Sequence, residues 1–287
     1  MNQQERLVKR NFRSLLERNR WLKGVPNALT LCNSLCGFGA ILYTLLVYDT
    51  ASATDRGIED ILAVSAWMIL GAMVFDALDG FAARILNAAS MHGLQMDSLA
   101  DMVTFGVAPA TVVAVMAHSM PMLRPYSFMV VWGLCAIYLG CAALRLATYN
   151  VHAIVEKKSS DKFSGLPSPG AAAAICSLVI FYSTKHGEIK QIVTILPIYA
   201  AILGLLMVSK VPYLHFGKWL FSVRKSRKRM AVLLLIVIAL IWSPTFTPVA
   251  LINGYILWGP IAALAAKLGL IKPAGQAEEQ KAPVGKA

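Results

Sequence analysis

Residues Ile61 to Asp101 read ILAVSAWMILGAMVFDALDGFAARILNAASMHGLQMDSLAD. From 61 to 83 the stretch is apolar and long enough to cross about 30 Å of hydrocarbon as a helix. It delivers four carboxylates in one short frame: Asp76 and Asp79 three residues apart, then Asp97 and Asp101 four apart. On helices these spacings put each pair on a single face, and two such faces opposed make a four-carboxylate cage. Carboxylates buried near a bilayer repel one another and are costly to desolvate, so the grouping is tolerable only around something strongly positive. Hard divalent cations, which bind through oxygen, are the matching occupants.

Outward from this frame the chain stays apolar, with 57% of its 287 residues hydrophobic. Hydropathy, bounded by charge and Pro/Gly clusters, marks spans at about 27–48, 61–83, 98–117, 128–148, 169–184, 192–209, 230–243 and 247–266, the last pair interrupted by Pro244 and Pro248. The expected fold is all-α, a polytopic bundle of membrane helices. The first 26 residues are charged throughout and lack the apolar core of a cleaved signal peptide. Within them Leu7, Val8, Phe12, Leu15, Leu16 and Leu22 recur at helical spacing between basic residues, predicting an amphipathic surface helix over 1–24. Residues 271–287, rich in Ala, Pro, Gly, Glu, Gln and Lys, read as a disordered tail. Cys32, Cys36, Cys135, Cys141 and Cys176 lack paired metal-ligand spacing and read as small packing residues.

A formal charge of +12 suggests a nucleic-acid binder until its distribution is examined. Assigning alternate connections to opposite sides gathers seven Lys/Arg before residue 27, Arg84, four from Arg145 to Lys162, seven from Lys210 to Arg229 and four in the tail on one side. Only Arg56, Arg124, Lys185 and Lys190 fall on the other, where Asp49, Asp55, Glu59 and Asp60 crowd the first loop. The positive-inside rule then puts both termini and the aspartate frame on the cytoplasmic side of a cell (inner) membrane. The basic surface meets anionic lipid headgroups, and no nucleic-acid recognition motif accompanies it.

At that interface a soluble compound and a lipid can both reach the aspartates. Gly80 removes a side chain beside Asp79 and Ala83 keeps the next turn small, leaving room for a bulky ligand against the backbone. Arg84 adds a guanidinium able to hold phosphate in bidentate fashion. Asn27, Thr30 and Asn33, spaced by three, form a polar face on the first span, which also suits interhelical hydrogen bonding.

The spacing D-x-x-D-G-x-x-A-R-x8-G-x3-D-x3-D resembles the signature of the CDP-alcohol phosphotransferase family. Its eight fixed positions are present as Asp76, Asp79, Gly80, Ala83, Arg84, Gly93, Asp97 and Asp101. The stretches PNALTLCNSLCG (Pro26–Gly37), LRLATYNV (Leu144–Val151), FSGLPSP (Phe163–Pro169) and VSKVPY (Val208–Tyr213) are similar to those of the membrane-embedded bacterial and archaeal phosphatidylserine synthases, although Thr148 and Tyr149 depart from the commoner form. The resemblance implies a six-helix transferase core over 25–218, with 219–270 as additional spans.

It further implies transfer of a phosphatidyl group from CDP-diacylglycerol to L-serine with release of CMP, by direct displacement and with divalent metal, Mg2+ or Mn2+, two ions. In that pattern Asp76, Asp79 and Asp97 hold metal, and Asp101 assists at the second ion or takes the proton of the incoming hydroxyl. CDP-diacylglycerol is bound by Asn27, Thr30, Asn33, Gly80, Ala83, Arg84 and Gly93, and the serine carboxylate by Arg145. Two alternatives stand beside this reading: a sibling transferase using choline, inositol or glycerol phosphate, and an ion-coupled transporter with a carboxylate relay. Small residues such as Gly37 and Gly39 would permit a homodimer.

Overall fold

A computed structural model describes residues 24–49, 57–86, 90–119, 127–155, 165–185, 189, 191–211, 213 and 227–267, and among these every long element is helical. Helix α1 (Val25–Leu45) ends in a 3-10 turn at Leu46–Tyr48, and α2 is Ile58–Ile85. Helix α3 (Met91–Asp101) passes through a π-helical turn, Met102–Val107, into α4 (Ala108–Ser119). Then come α5 (Phe128–Val155), α6 (Ser168–Thr184), α7 (Gln191–Val208), α8 (Arg227–Trp242) and α9 (Phe246–Lys267). The protein is a polytopic helical membrane protein. Each expected span is helical, but among the described residues six stretches are long and apolar enough to cross a membrane: Val25–Tyr48, Ile58–Ile85, Met91–Ser119, Phe128–Val151, Gln191–Val208 and Phe246–Ala265. The other two, α6 with 17 residues and α8 with 16, fall short of that length. The surface helix expected over 1–24, apart from Gly24, and the expected tail lie outside the described residues.

The pattern of burial is that of a protein solvated by lipid. Helix α1 turns Thr30, Asn33, Gly37, Ala40 and Thr44 inward, and Leu31, Leu35, Phe38, Leu42 and Leu45 outward. The helical period is the one a soluble helix uses, but with polar and small residues at the packed seam. Small residues let backbones approach. A Cβ on Gly37 would collide with Thr104 of the π turn, one on Gly39 would lie 2.7 Å from the Met68 side chain, and one on Gly204 would lie 2.8 Å from Tyr138 Cα. The close approaches at Gly37 and Gly39 are thus made within the chain.

Helix α6 is the hub. Ala171 to Ser177 are all buried, and α2, α7 and α9 pack around it. Its short length is tolerable because neighbouring protein surrounds it.

Two prolines inside helical segments free carbonyls that tyrosine hydroxyls from elsewhere in the chain satisfy. Pro109 cannot donate to Phe105, and the Phe105 carbonyl instead accepts the Tyr138 hydroxyl at 2.7 Å. Pro260 likewise leaves the Ile256 carbonyl to the hydroxyl of Tyr213 at 3.2 Å. In hydrocarbon an unpaired carbonyl has no water to turn to, so these tyrosines are what make the two prolines tolerable.

Candidate functional site

The site forms where the C-terminal half of α2 faces α3, with α1 beside both. Helix α3 begins earlier than the expected span because Ser90 caps it, its hydroxyl accepting the Gly93 N–H at 3.0 Å. One further turn brings Asp97 and Asp101 to face Asp76. Single carboxylate oxygens of Asp76, Asp97 and Asp101 all lie within 4.8 Å of one another, and the three residues are half-buried. Asp79 is more deeply buried, at 5% exposure, and stands outside this trio; the hydroxyl of Thr30 lies 2.8 Å from its Oδ2. Of the four expected carboxylates, the structure thus brings Asp76, Asp97 and Asp101 together and pairs Asp79 with Thr30.

Of the polar face on α1, Thr30 reaches Asp79 and Asn33 donates Nδ2–H to Asp101 Oδ1 at 3.3 Å. Asn27 lies towards α3, since a Cβ on Gly93 would lie 3.6 Å from its Oδ1 and 3.2 Å from the Ser90 hydroxyl. Gly93 therefore keeps the gap between α1 and α3 open. Among the described residues Gly80 has only Arg84 near its vacant side-chain position, and Arg84 is exposed, its Nε donating back to the Gly80 carbonyl at 2.9 Å. Ala83 is half-buried on the same flank.

Arg145 is half-buried and donates Nη1–H to the Met207 carbonyl at 3.0 Å, at the end of α7. Gly165, from the expected loop before α6, sits on the same spot. Its N–H donates to Val211 at 2.8 Å, its φ is +92°, and any Cβ would strike the Met207 carbonyl and come within 3.0 Å of Arg145. Arg145 is thus built into a junction of α5, α7 and the Gly165 loop, whereas the aspartates gather on α2 and α3. Sequence reasoning passed over one link to α5: the Ser98 hydroxyl, one residue from Asp97, donates to Asn150 Oδ1 at 2.9 Å. Asn150 lay in plain view within LRLATYNV, but nothing local to it points to Ser98.

The fit of this site to a metal rests on two observations. Three oxygens within 4.8 Å can be bridged by a hard divalent ion that bonds at about 2.0–2.6 Å. In addition, Asp97 Oδ1 is buried and has no hydrogen-bond partner among the described residues. A buried carboxylate oxygen without a donor is costly, and a cation removes that cost together with the mutual repulsion. The donor set, carboxylates alone, suits Mg2+ or Mn2+ rather than a soft metal.

Comparison with known proteins agrees with the frame. The family model described as CDP-alcohol phosphatidyltransferase matches residues 23–266. The CDP-diacylglycerol–serine O-phosphatidyltransferase of Bacillus subtilis (strain 168) is 34% identical over 199 residues, covering 68% of this chain and 92% of that protein. The protein of the same name from Helicobacter pylori (strain ATCC 700392 / 26695) is 27% identical over 241 residues, covering 80% and 95%. Its namesake in Saccharomyces cerevisiae (strain ATCC 204508 / S288c) is 31% identical over 166 residues, covering 56% and 54%. With most of its length matched and the signature carboxylates converging between α2 and α3, the chain belongs to the CDP-alcohol phosphatidyltransferase family.

Proposed function

We propose that this protein is a phosphatidylserine synthase, transferring the phosphatidyl group of CDP-diacylglycerol to the hydroxyl of L-serine and releasing CMP. The observation that carries the reading is the convergence of Asp76, Asp97 and Asp101 beside the unpartnered oxygen of Asp97. The acceptor is taken from the relatives, whose names specify serine. Divalent metal, Mg2+ or Mn2+ and two ions in this reading, held by Asp76, Asp79, Asp97 and Asp101, would offset the diphosphate charge and stabilise the departing CMP.

The chain's own residues do the rest. The gap kept open by Gly93 and Gly80, lined by Asn27 and Ala83, receives the nucleotide, and Arg84 leaves its own backbone to hold a phosphate. Asp101 accepts the proton of the serine hydroxyl as that oxygen forms its bond to the lipid phosphorus and the bond to CMP breaks. Arg145 offers its remaining guanidinium donors to the serine carboxylate, its orientation held by Met207. The large excess of Lys and Arg on one set of connections supports an orientation with both termini and the site on the inner face of the cell membrane.

The test is CMP release from CDP-diacylglycerol by the purified protein with Mg2+ or Mn2+, comparing serine, choline, inositol, glycerol 3-phosphate and no acceptor. Serine-dependent release with phosphatidylserine as product supports the proposal. Release with another acceptor would overturn the serine assignment alone, and no release with any acceptor would overturn the transferase reading.

A further inference from the structure

Two residues of the polar face of α1, Thr30 and Asn33, reach carboxylates on the neighbouring helices. Asn33 is fully buried, at 0% exposure, and Thr30 nearly so at 5%, which leaves little surface for either to touch a ligand. One polar atom of each reaches a carboxylate on another helix: Thr30 Oγ1 lies 2.8 Å from Asp79 Oδ2 on α2, and Asn33 Nδ2 lies 3.3 Å from Asp101 Oδ1 at the end of α3. The Thr30 hydroxyl has one proton, and its other acceptor, the Pro26 carbonyl, is farther away at 3.0 Å. Asn33 is tied a second time through its backbone, whose carbonyl accepts the Thr104 hydroxyl at 3.1 Å. Asp101 and Thr104 are three residues apart, so one residue of α1 grips that face of the α3 segment at two points. One turn on, Gly37 lies flush against Thr104 and keeps the helices at contact distance.

The energetics argue against a purely structural purpose. Asn33 Oδ1 is buried and has no hydrogen-bond partner among the described residues. An unsatisfied amide carbonyl is a cost that an apolar side chain of similar shape would not carry, so stability alone would favour leucine here. A destabilising group held inside a packed seam, with its other end on Asp101, is the signature of a group kept for what it orients.

We infer that Thr30 and Asn33 are positioning residues of the metal site, Thr30 orienting Asp79 and Asn33 orienting Asp101, and that neither binds the nucleotide. The inference rests on the metal-dependent transferase reading above. Partners that orient metal-binding carboxylates typically cost about 10–100-fold in metal affinity or activity when removed. Binding of the donor lipid, in contrast, should be nearly indifferent to them.

The experiment compares the full-length unmodified protein with Asn33→Leu, Thr30→Val and Thr30→Ser. Three quantities are read: Mn2+ affinity without substrate, from the free-ion electron paramagnetic resonance signal; kcat and KM for CDP-diacylglycerol at saturating serine; and Tm in EDTA. Asn33→Leu and Thr30→Val are expected to weaken Mn2+ binding and lower kcat by about 10–100-fold, with KM for CDP-diacylglycerol within about twofold. Thr30→Ser, which keeps the hydroxyl, is expected to restore both, and Asn33→Leu to keep or raise Tm. A rise in KM with kcat and Mn2+ affinity intact would make these residues nucleotide contacts and overturn the inference. Unchanged values throughout would overturn it too. If Asn33→Leu does not fold, a Tm loss contrary to expectation refutes its half, and the Thr30 pair decides the other. Absence of Mn2+ binding and of CMP release in the unmodified protein would instead overturn the functional reading, and this inference with it.

Discussion

Replacing Asp97 by Asn removes one negative charge while preserving shape, and the geometry of the site implies opposite effects on stability and on activity. One oxygen of Asp97 lies within 4.8 Å of oxygens of both Asp76 and Asp101. At that separation two unit charges repel by about 3.5 kcal/mol at an effective dielectric of 20, so with all three carboxylates ionised and no cation bound Asp97 would meet about 7 kcal/mol of gross repulsion, an upper bound because crowded carboxylates take up protons instead. Solvent reaching these half-buried groups reduces the figure. If only about 1 kcal/mol of relief survives, Tm rises by about 2–4 °C for a domain of this size. Asp97→Asn should therefore melt higher than the unmodified protein in EDTA, yet gain less from added Mn2+. Its serine-dependent CMP release should fall by more than about 100-fold, beyond what loss of an outer partner causes. Thermal unfolding in detergent with EDTA and with Mn2+, together with the CMP assay, measures all three. Turnover close to that of the unmodified protein would remove Asp97 from the metal site, and a lower Tm in EDTA would show that the carboxylate stabilises the fold instead.

Arg145→Ala should raise KM for serine at least tenfold while leaving KM for CDP-diacylglycerol within about twofold, since its contacts lie at the α5–α7 junction; equal effects on both substrates would refute the serine assignment. Gly165→Ala places a Cβ against the Met207 carbonyl at a φ of +92°. It should cost at least about 1–3 kcal/mol, read as a lower Tm, with serine use falling alongside because Arg145 shares that carbonyl. Tyr213→Phe strands the Ile256 carbonyl that Pro260 has freed. A loss of about 1–3 kcal/mol is expected, whereas an unchanged Tm would mean that the carbonyl finds another donor. Removal of divalent metal with EDTA should abolish CMP release, and Mg2+ or Mn2+ should restore it; activity persisting in EDTA would refute the metal-site reading.

Residue spacing alone makes much of the site legible. The helical repeat places Asp76 with Asp79 and Asp97 with Asp101, because a spacing of three or four needs no partner to define a face. The same repeat shows Thr30, Asn33 and Gly37 on one stripe of α1. Apolar length identifies the helices, although it does not show that the 17 residues of α6 lie at the centre of the packing, where burial by neighbours replaces lipid. Pro109 and Pro260 announce that the Phe105 and Ile256 carbonyls lose their helical donors, but not that Tyr138 and Tyr213 replace them.

The sequence by itself determined the pairing of carboxylates on single helix faces and the helices that carry them, since these depend on local composition and a fixed rise and rotation per residue. Which oxygens meet was decided only in the tertiary structure. Asp101 joins Asp76 and Asp97, Asp79 turns to Thr30, Ser98 meets Asn150, and Arg145 docks on Met207. Those pairings depend on how far each helix is rotated and how closely it approaches its neighbour. Contacts between residues distant in the chain, such as Gly37 with Thr104 and Gly204 with Tyr138, set both quantities, and no local pattern encodes them.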